Sequence, residues 1–164
     1  MPVANRLLNM MSPSQHARLS HQHEAIVEMT KGVAEEQLRT RPENNKWSIF
    51  ENIAHLSAYQ PAFLERLKRI QKEPSPLFDR YIADNDPTFL ECCDMGLQQL
   101  HEHLFTHRFL IQNYISILEE PAFNKIGRHP VFGELTVINW IEFFLLHEAH
   151  HLFTIFKLLH TSSR

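Results

Sequence analysis

Apolar side chains recur at helical spacing in four segments of this chain, and proline-containing connections interrupt the pattern. The segments are predicted at about residues 14–31, 48–71, 88–119 and 136–160, and the third could also begin at residue 94. Only four glycines occur among 164 residues, which argues against a sheet with many tight turns, and strand signals are absent. The sequence therefore predicts an all-α fold, a four-helix bundle.

The two long connections bear on how the helices are joined. Residues 72–86 and 121–135 both exceed the usual length of a helix–helix loop, so a crossover topology is favoured at least as much as an up-and-down one. The second helix has the clearest start, because Ser48 and Glu51 match a capping box; Pro61 inside it predicts a kink. The length predicts one domain over residues 1–164.

Composition and charge exclude several classes of partner. The formal net charge is -3 and the basic residues are scattered, so no nucleic acid partner is expected. No apolar stretch approaches the roughly 20 residues that cross a bilayer, and the short run at residues 7–11 is too polar for a signal peptide. Cys92 and Cys93 are adjacent, which is typical of two reduced thiols rather than a disulfide. We expect a cytoplasmic protein with no membrane partner.

Twelve histidines are the one unusual feature of the composition, and their positions matter more than their number. On a helical wheel of the fourth segment, His151 lies about 40° from His147, and both fall on the core-facing side. His150 lies about 60° to the other side, outside the apolar arc. Two imidazoles one turn apart on an inward face can bind a common ion, although an inward histidine can equally be a hydrogen-bonded core residue.

The second helix offers a third histidine, His55, at the border of its apolar arc. Glu51 and Tyr59 flank it one turn away on either side, where we expect them to orient its ring. The third helix offers a competing pair, His103 and His107, with the same spacing as the pair on the fourth helix. Spacing alone does not rank one pair above the other.

Residues 147–151 also match the H-E-x-x-H pattern of zinc proteases. That function is disfavoured, because only thirteen residues follow His151 and no strand is evident for binding an extended peptide. Glu148 falls in the middle of the apolar arc, so its carboxylate needs a buried partner. We expect an ion pair or hydrogen bond to another helix, for example from Arg108, rather than a base beside a metal.

Three stretches resemble the motifs of one known family. Residues 46–56, KWSIFENIAHL, resemble the W-S-x-x-E-x-x-x-H-L signature of the DinB superfamily, the DinB/YfiT-like metalloenzymes. Residues 129–136, HPVFGELT, resemble the H-P-x-F-G loop before the last helix of that family. The pair His147 and His151 resembles its H-x-x-x-H motif. The motifs occur in the order of the family and together span most of the chain.

The resemblance implies that His55, His147 and His151 are metal ligands and that His103 and His107 are not. It also implies a four-helix bundle of crossover topology and a homodimer. Three imidazoles leave a position open on a tetrahedral ion, which is typical of catalytic zinc; nickel and iron also fit such a site.

An ion with an open position can activate either water for hydrolysis or a thiol for attack on an electrophile. Members of the family include thiol-dependent S-transferases, so the resemblance favours transfer of a low-molecular-weight thiol to a small-molecule substrate. A metal-dependent hydrolase is the first alternative, and a non-enzymatic bundle stabilised by its metal is the second. His129, in the loop before the last helix, is a candidate for the entrance of the site.

Overall fold

The computed structural model describes residues 10–42 and 46–161, so residues 7–9 of the run considered for a signal peptide lie outside it. Four helices carry the bundle, and shorter elements connect them. The helices are α1 (Pro13–His21), α2 (Ala25–Thr30), α3 (Glu35–Arg39), α4 (Ile49–Lys72), α5 (Pro87–Asp94), α6 (Leu97–Ser116), α7 (Glu120–Phe123) and α8 (Val137–Thr161). Strands β1 (Ile126–His129) and β2 (Gly133–Thr136) form a hairpin. The prediction of a four-helix bundle is confirmed, with α1, α4, α6 and α8 as its helices.

Two predicted helices are divided in the structure. The first is interrupted by a 3-10 turn at Gln22–Glu24, which separates α1 from α2. The third is divided between α5 and α6, since Gly96 is the extended N-cap of α6. The second and fourth helices run close to their predicted limits. At the start of α4, the Ser48 hydroxyl accepts from the Glu51 amide and the Glu51 carboxylate accepts from the Ser48 amide, so the predicted capping box is confirmed.

The order of the helices around the bundle differs from their order in the chain. Helix α4 packs against α6 and α8, and α8 also packs against α1. The first and second long helices are therefore separated by the fourth, which is the crossover topology that the long connections allow. Because α4 and α8 lie side by side, side chains that are distant in sequence meet between them.

The expectation that strands are absent is wrong for the second connection. Strands β1 and β2 pair antiparallel, from Ile126 opposite Thr136 to His129 opposite Gly133. Gly127 lies so close to α4 that an added Cβ would come within 2.7 Å of Ile70, and its carbonyl accepts from the Trp140 indole. The hairpin is thus held against α4 and α8, with its tip, residues 130–132, over the groove between them. Within the described residues, no helix is long and apolar enough to cross a membrane.

Candidate metal centre

Three histidines meet where α4 and α8 pack together. One ring nitrogen from each of His55, His147 and His151 lies within 4.8 Å of the others, and this is the group that could hold a metal ion among the described residues. The Nε2 atoms of His55 and His147 are 2.9 Å apart. Zinc–nitrogen bonds measure about 2.0–2.1 Å, so two nitrogens on one ion lie roughly 3 Å apart. The structure therefore brings together all three histidines that the sequence singled out.

One of the three rings is oriented by a neighbouring amide. The Nδ1 atom of His151 lies 2.8 Å from Oδ1 of Asn52, and Nδ2 of Asn52 donates to the carbonyl of Ser48 at 2.8 Å. Because the amide nitrogen is committed to Ser48, its oxygen faces the histidine and accepts the Nδ1 proton. The Nε2 lone pair of His151 is thereby left free to bind a metal.

The other two rings carry polar atoms that the protein leaves unsatisfied. The Nδ1 atoms of His55 and His147 are buried and have no hydrogen-bond partner among the described residues. A buried polar group without a partner costs about 1–3 kcal/mol, so native proteins keep few of them, and those often have a functional reason. An ion at the close Nε2 pair would not reach these Nδ1 atoms, which lie on the other side of each ring; the convergence of the imidazole nitrogens is what fits a divalent cation with nitrogen ligands.

Burial keeps the three rings neutral. It lowers the pKa of His55 to about 2, of His147 to about 4 and of His151 to about 3. Repulsion from neighbouring charges adds to the shift: His151 and His147 act on His55, and His147 and His150 act on His151. For His147, the neighbours that add to the shift are His150 and Arg66. A neutral imidazole is the form that binds a metal, so the site is ready for a cation at neutral pH.

Aromatic side chains enclose the histidines on several sides. The ring centroid of Trp47 lies 5.0 Å from that of His55, and that of Tyr59 lies 4.7 Å from that of His147. Tyr81, from the connection between α4 and α5, lies 5.6 Å from His55. These aromatic rings pack against the imidazoles and restrict the rotation of the three histidine side chains.

An open cleft of about 500 Å³ leads to the three histidines. Its walls come from α4, α8, the α4–α5 connection and the hairpin, and they consist of Trp47, His55, Tyr59, Arg66, Arg80, Tyr81, Ala83, His129, Val131, Phe132, Phe143, His147 and His151. A cavity of this size holds a small molecule. The site therefore has an accessible side.

His129 lies in the wall of this cleft, as the loop motif suggested. Its Nδ1 accepts from the backbone amides of Val131 at 3.1 Å and Phe132 at 3.2 Å, so its proton is on Nε2. The ring packs between Phe132 and Phe143, with centroids 4.7 and 5.0 Å away. His129 thus fixes the hairpin tip at the rim of the cleft.

The chain matches a known family over most of its described length. Residues 18–155 match the DinB superfamily. The chain belongs to the DinB superfamily.

Relatives of this DinB-superfamily chain agree in sequence and fold. It is 33% identical over 134 residues to the uncharacterized protein YuaE of Bacillus subtilis (strain 168), an alignment that covers 74% of this chain and 83% of YuaE. Its fold is similar to that of YfiT from Bacillus subtilis, described as a probable metal-dependent hydrolase with an unusual four-helix bundle topology. The TM-score is 0.73 at 16% identity, over 90% of this chain and 86% of YfiT. TT2238, a four-helix bundle protein, matches with a TM-score of 0.65 at 17% identity, over 88% of this chain and 97% of the other. The predicted homodimer stays a prediction.

Glu148, the glutamate of the H-E-x-x-H match, belongs to a buried polar network and not to the group of three histidines. Its carboxylate pairs with the Arg108 guanidinium and accepts from Gln22 Nε2 at 2.9 Å. Arg108 also donates to Gln60 Oε1 at 3.0 Å and to the Leu19 carbonyl at 3.1 Å. This buried network joins all four long helices. The expected ion pair with Arg108 is confirmed, and the carboxylate is committed to it.

The competing pair on α6 has local partners instead. His103 Nδ1 lies 2.7 Å from the Ser57 hydroxyl, and His107 Nδ1 lies 2.9 Å from the His103 carbonyl. Neither belongs to the group of three around His55. Tertiary packing distinguishes the two pairs, whereas helical spacing did not.

Sequence reasoning gave Glu51 the wrong role beside His55, and it missed two residues of the site, Asn52 and Arg66. Glu51 does not orient His55. Its carboxylate accepts from the Ser48 backbone amide in the capping box and pairs with Arg41. Tyr59 does contact the site, through its ring. Asn52 was missed although it lies one turn before His55, where a polar residue in a buried helix face is a recognisable signal. Arg66 was missed because its place in the cleft depends on the fold.

Proposed function

We propose that this DinB-superfamily protein is a metal-dependent enzyme that binds one divalent ion through His55, His147 and His151. Its substrate is a small molecule that enters the adjacent cleft. The observation that carries the proposal is the convergence of three neutral imidazoles at the end of an open cavity. A purely structural site is closed by protein ligands, whereas a catalytic one keeps a position open.

The ion, when bound, would supply a positive charge that acidifies a water or a thiol at its open position. Residues around the histidines orient their rings toward the ion and leave its open position facing the cleft. Asn52 fixes the tautomer of His151, so that its Nε2 faces the ion. Trp47, Tyr59 and Tyr81 restrict water to the open side of the site.

Transfer of a low-molecular-weight thiol to an electrophile is the reaction we favour. A free thiol has a pKa of about 8.5. A nearby cation lowers this pKa enough to favour the thiolate, which is the nucleophile. Hydrolysis ordinarily also uses a carboxylate or histidine to move protons. Among the described residues that line the cleft, none is a carboxylate, and His129 is the one histidine besides the three proposed ligands. Nδ1 of His129 is occupied by two backbone amides, which leaves it poorly suited to act as a base.

Metal-dependent hydrolysis is the second candidate. It is supported by the description of YfiT as a probable metal-dependent hydrolase, although at 16% identity the similarity to that protein concerns the fold. A non-enzymatic, metal-stabilised bundle is the third, and the open cleft disfavours it.

The test compares metal-loaded protein in two assays, conjugation of thiols to chlorodinitrobenzene and hydrolysis of nitrophenyl esters without thiol. We expect thiol conjugation that requires the metal and that His147→Ala abolishes. His103→Ala is the matched control, because it removes a histidine from the other pair, and should retain activity. Ester hydrolysis without thiol would support the hydrolase instead, and full metal loading without turnover in either assay would contradict both.

A further inference from the structure

Arg66 is held rigidly in the wall of the cleft. Its Nη1 donates to the Tyr59 hydroxyl at 3.0 Å, and its Nη2 donates to the Asp79 carbonyl at 3.0 Å. The guanidinium carbon also lies 5.6 Å from the Phe78 ring centroid and 5.5 Å from that of Trp140. A half-buried cation in contact with four neighbours is positioned before any ligand arrives.

Arg66 forms no ion pair with a carboxylate among the described residues. Its hydrogen-bond acceptors are a phenol and a peptide carbonyl. Other arginines of the chain do have carboxylate partners: Arg18 with Glu142, Arg69 with Glu73 and Arg108 with Glu148. A guanidinium has five N–H donors, so donors remain available to a ligand.

The cleft on the histidine side of Arg66 is lined by basic but not acidic side chains, whereas Glu65, Asp79 and Asp86 line the neighbouring pocket on its other side. Arg80 is the second guanidinium in the wall, and the described lining residues include no acidic side chain to balance the two. The proposed ion would add further positive charge at the histidines. Such a cleft concentrates anions.

Tyr59 sets the distance between Arg66 and the histidines. Its hydroxyl accepts from Arg66, while its ring packs against His147 at a centroid distance of 4.7 Å. One tyrosine side chain therefore separates the guanidinium from the metal centre, a span that one small molecule can bridge.

We infer that Arg66 is a substrate-binding residue for a carboxylate, so that the thiol cosubstrate carries a carboxylate group as well as its sulfur. This inference rests on the proposed function. The planar fork of the guanidinium matches a carboxylate in a bidentate manner, which fixes orientation as well as charge. The carboxylate lies on Arg66 while the sulfur lies at the three histidines.

The experiment uses cobalt-loaded protein, because thiolate binding to cobalt produces a charge-transfer absorption that reports binding without turnover. The probes are N-acetylcysteine and N-acetylcysteine amide, which differ in the charge of one group. We expect wild type to bind the acid at least about tenfold more tightly than the amide, the size of effect typical of hydrogen bonds to charged groups. Arg66→Gln should lose most of that preference and bind the amide as wild type does.

Arg69→Gln is the matched control, since Arg69 lies on the same helix but pairs with Glu73 and does not line the cleft. It should keep the wild-type preference. Should Arg66→Gln not fold, Arg66→Lys replaces it, because lysine keeps the charge but loses the fork and should lower the preference at least about threefold.

An unchanged preference in the folded Arg66 variant, or no preference in wild type, would overturn this inference while leaving the metal site intact. Failure of wild type to bind cobalt at all would overturn the proposed function and this inference with it.

Discussion

Helix α8 places two kinds of buried polar group side by side, and they differ in how completely the protein satisfies them. Glu148 has its carboxylate engaged by Arg108 and Gln22, and that network reaches all four long helices. His147, the residue before it, is half-buried, and its buried Nδ1 has no partner among the described residues. A saturated buried network stabilises one packing of the helices, whereas an unsaturated buried group is a cost that native proteins usually retain for a functional reason.

The same contrast explains why one pattern match misleads. The letters of H-E-x-x-H suggest that Glu148 acts beside the metal, yet its position on the wheel directs it into the bundle. His151, one turn after His147, is directed toward His55 and Asn52. Neighbouring residues of one helix thus serve stability on one side and the candidate site on the other.

The largest expected effect is a loss of stability when the buried network around Glu148 and Arg108 is broken. Glu148→Gln leaves the Arg108 guanidinium buried without its counter-charge, which should lower the free energy of unfolding by about 3–5 kcal/mol. Urea denaturation of the metal-free protein measures it. Glu142→Gln is the control, because its ion pair with Arg18 is partly exposed and should be worth about 0–1 kcal/mol. Equal losses in the two variants would show that the network is not a principal source of stability.

The second effect concerns pH and His23, which contacts the same network. Burial, together with the charge of Arg108, lowers the pKa of His23 to about 4, against opposition from Glu24. Between about pH 6.5 and pH 4 the unfolded chain binds more protons than the folded one, so stability falls as the pH falls through this window. The contribution of His23 is about 3 kcal/mol at its full extent.

Denaturation curves from pH 7 to about pH 4 test this prediction when wild type is compared with His23→Gln, which does not titrate. The variant should lose less stability on acidification than wild type, although the three clustered histidines still contribute in both. Parallel pH profiles would contradict the assignment to His23.

The third and smallest effect is a loss of metal affinity when Asn52, beside the three histidines, is replaced. Asn52→Leu removes the acceptor that fixes the His151 ring, and loss of such a partner typically costs 10- to 100-fold in metal affinity, roughly 1.4–2.8 kcal/mol. Competition with a chromogenic chelator measures the affinity. The exposed residue Asn113, on α6, provides the control as Asn113→Ala, which should bind metal as wild type does. An Asn52 variant with wild-type affinity would mean that the amide is a packing residue only.

Local rules in the sequence predicted more of the fold than of the site. The capping box at Ser48 and the apolar period of α8 depend on residues within one helix, and both are confirmed. The hairpin was not predicted, because strands of four residues have too short a pattern to recognise, and Gly127 fits there only through its contact with α4. The break between α5 and α6 was not predicted either, because the apolar period continues across it.

The site itself depends on which helices become neighbours. The wheel placed His147 and His151 toward the interior but gave His103 and His107 equal standing, because both pairs have the same spacing. Packing of α8 against α4 brings the first pair to His55, and this contact is not encoded in either helix alone. Asn52 and Arg66 depend on packing in the same way, since each has one partner outside α4: His151 for Asn52 and the Asp79 carbonyl for Arg66.

Metal titration of the purified protein tests the central claim most directly. Isothermal calorimetry with zinc, nickel and cobalt should show one ion bound per chain in wild type and in His103→Ala. His55→Ala should bind at least about 100-fold more weakly, because it removes the proposed ligand that would connect α4 to the pair on α8. Equal stoichiometry and affinity in His55→Ala and wild type would contradict the claim that these three histidines hold the ion.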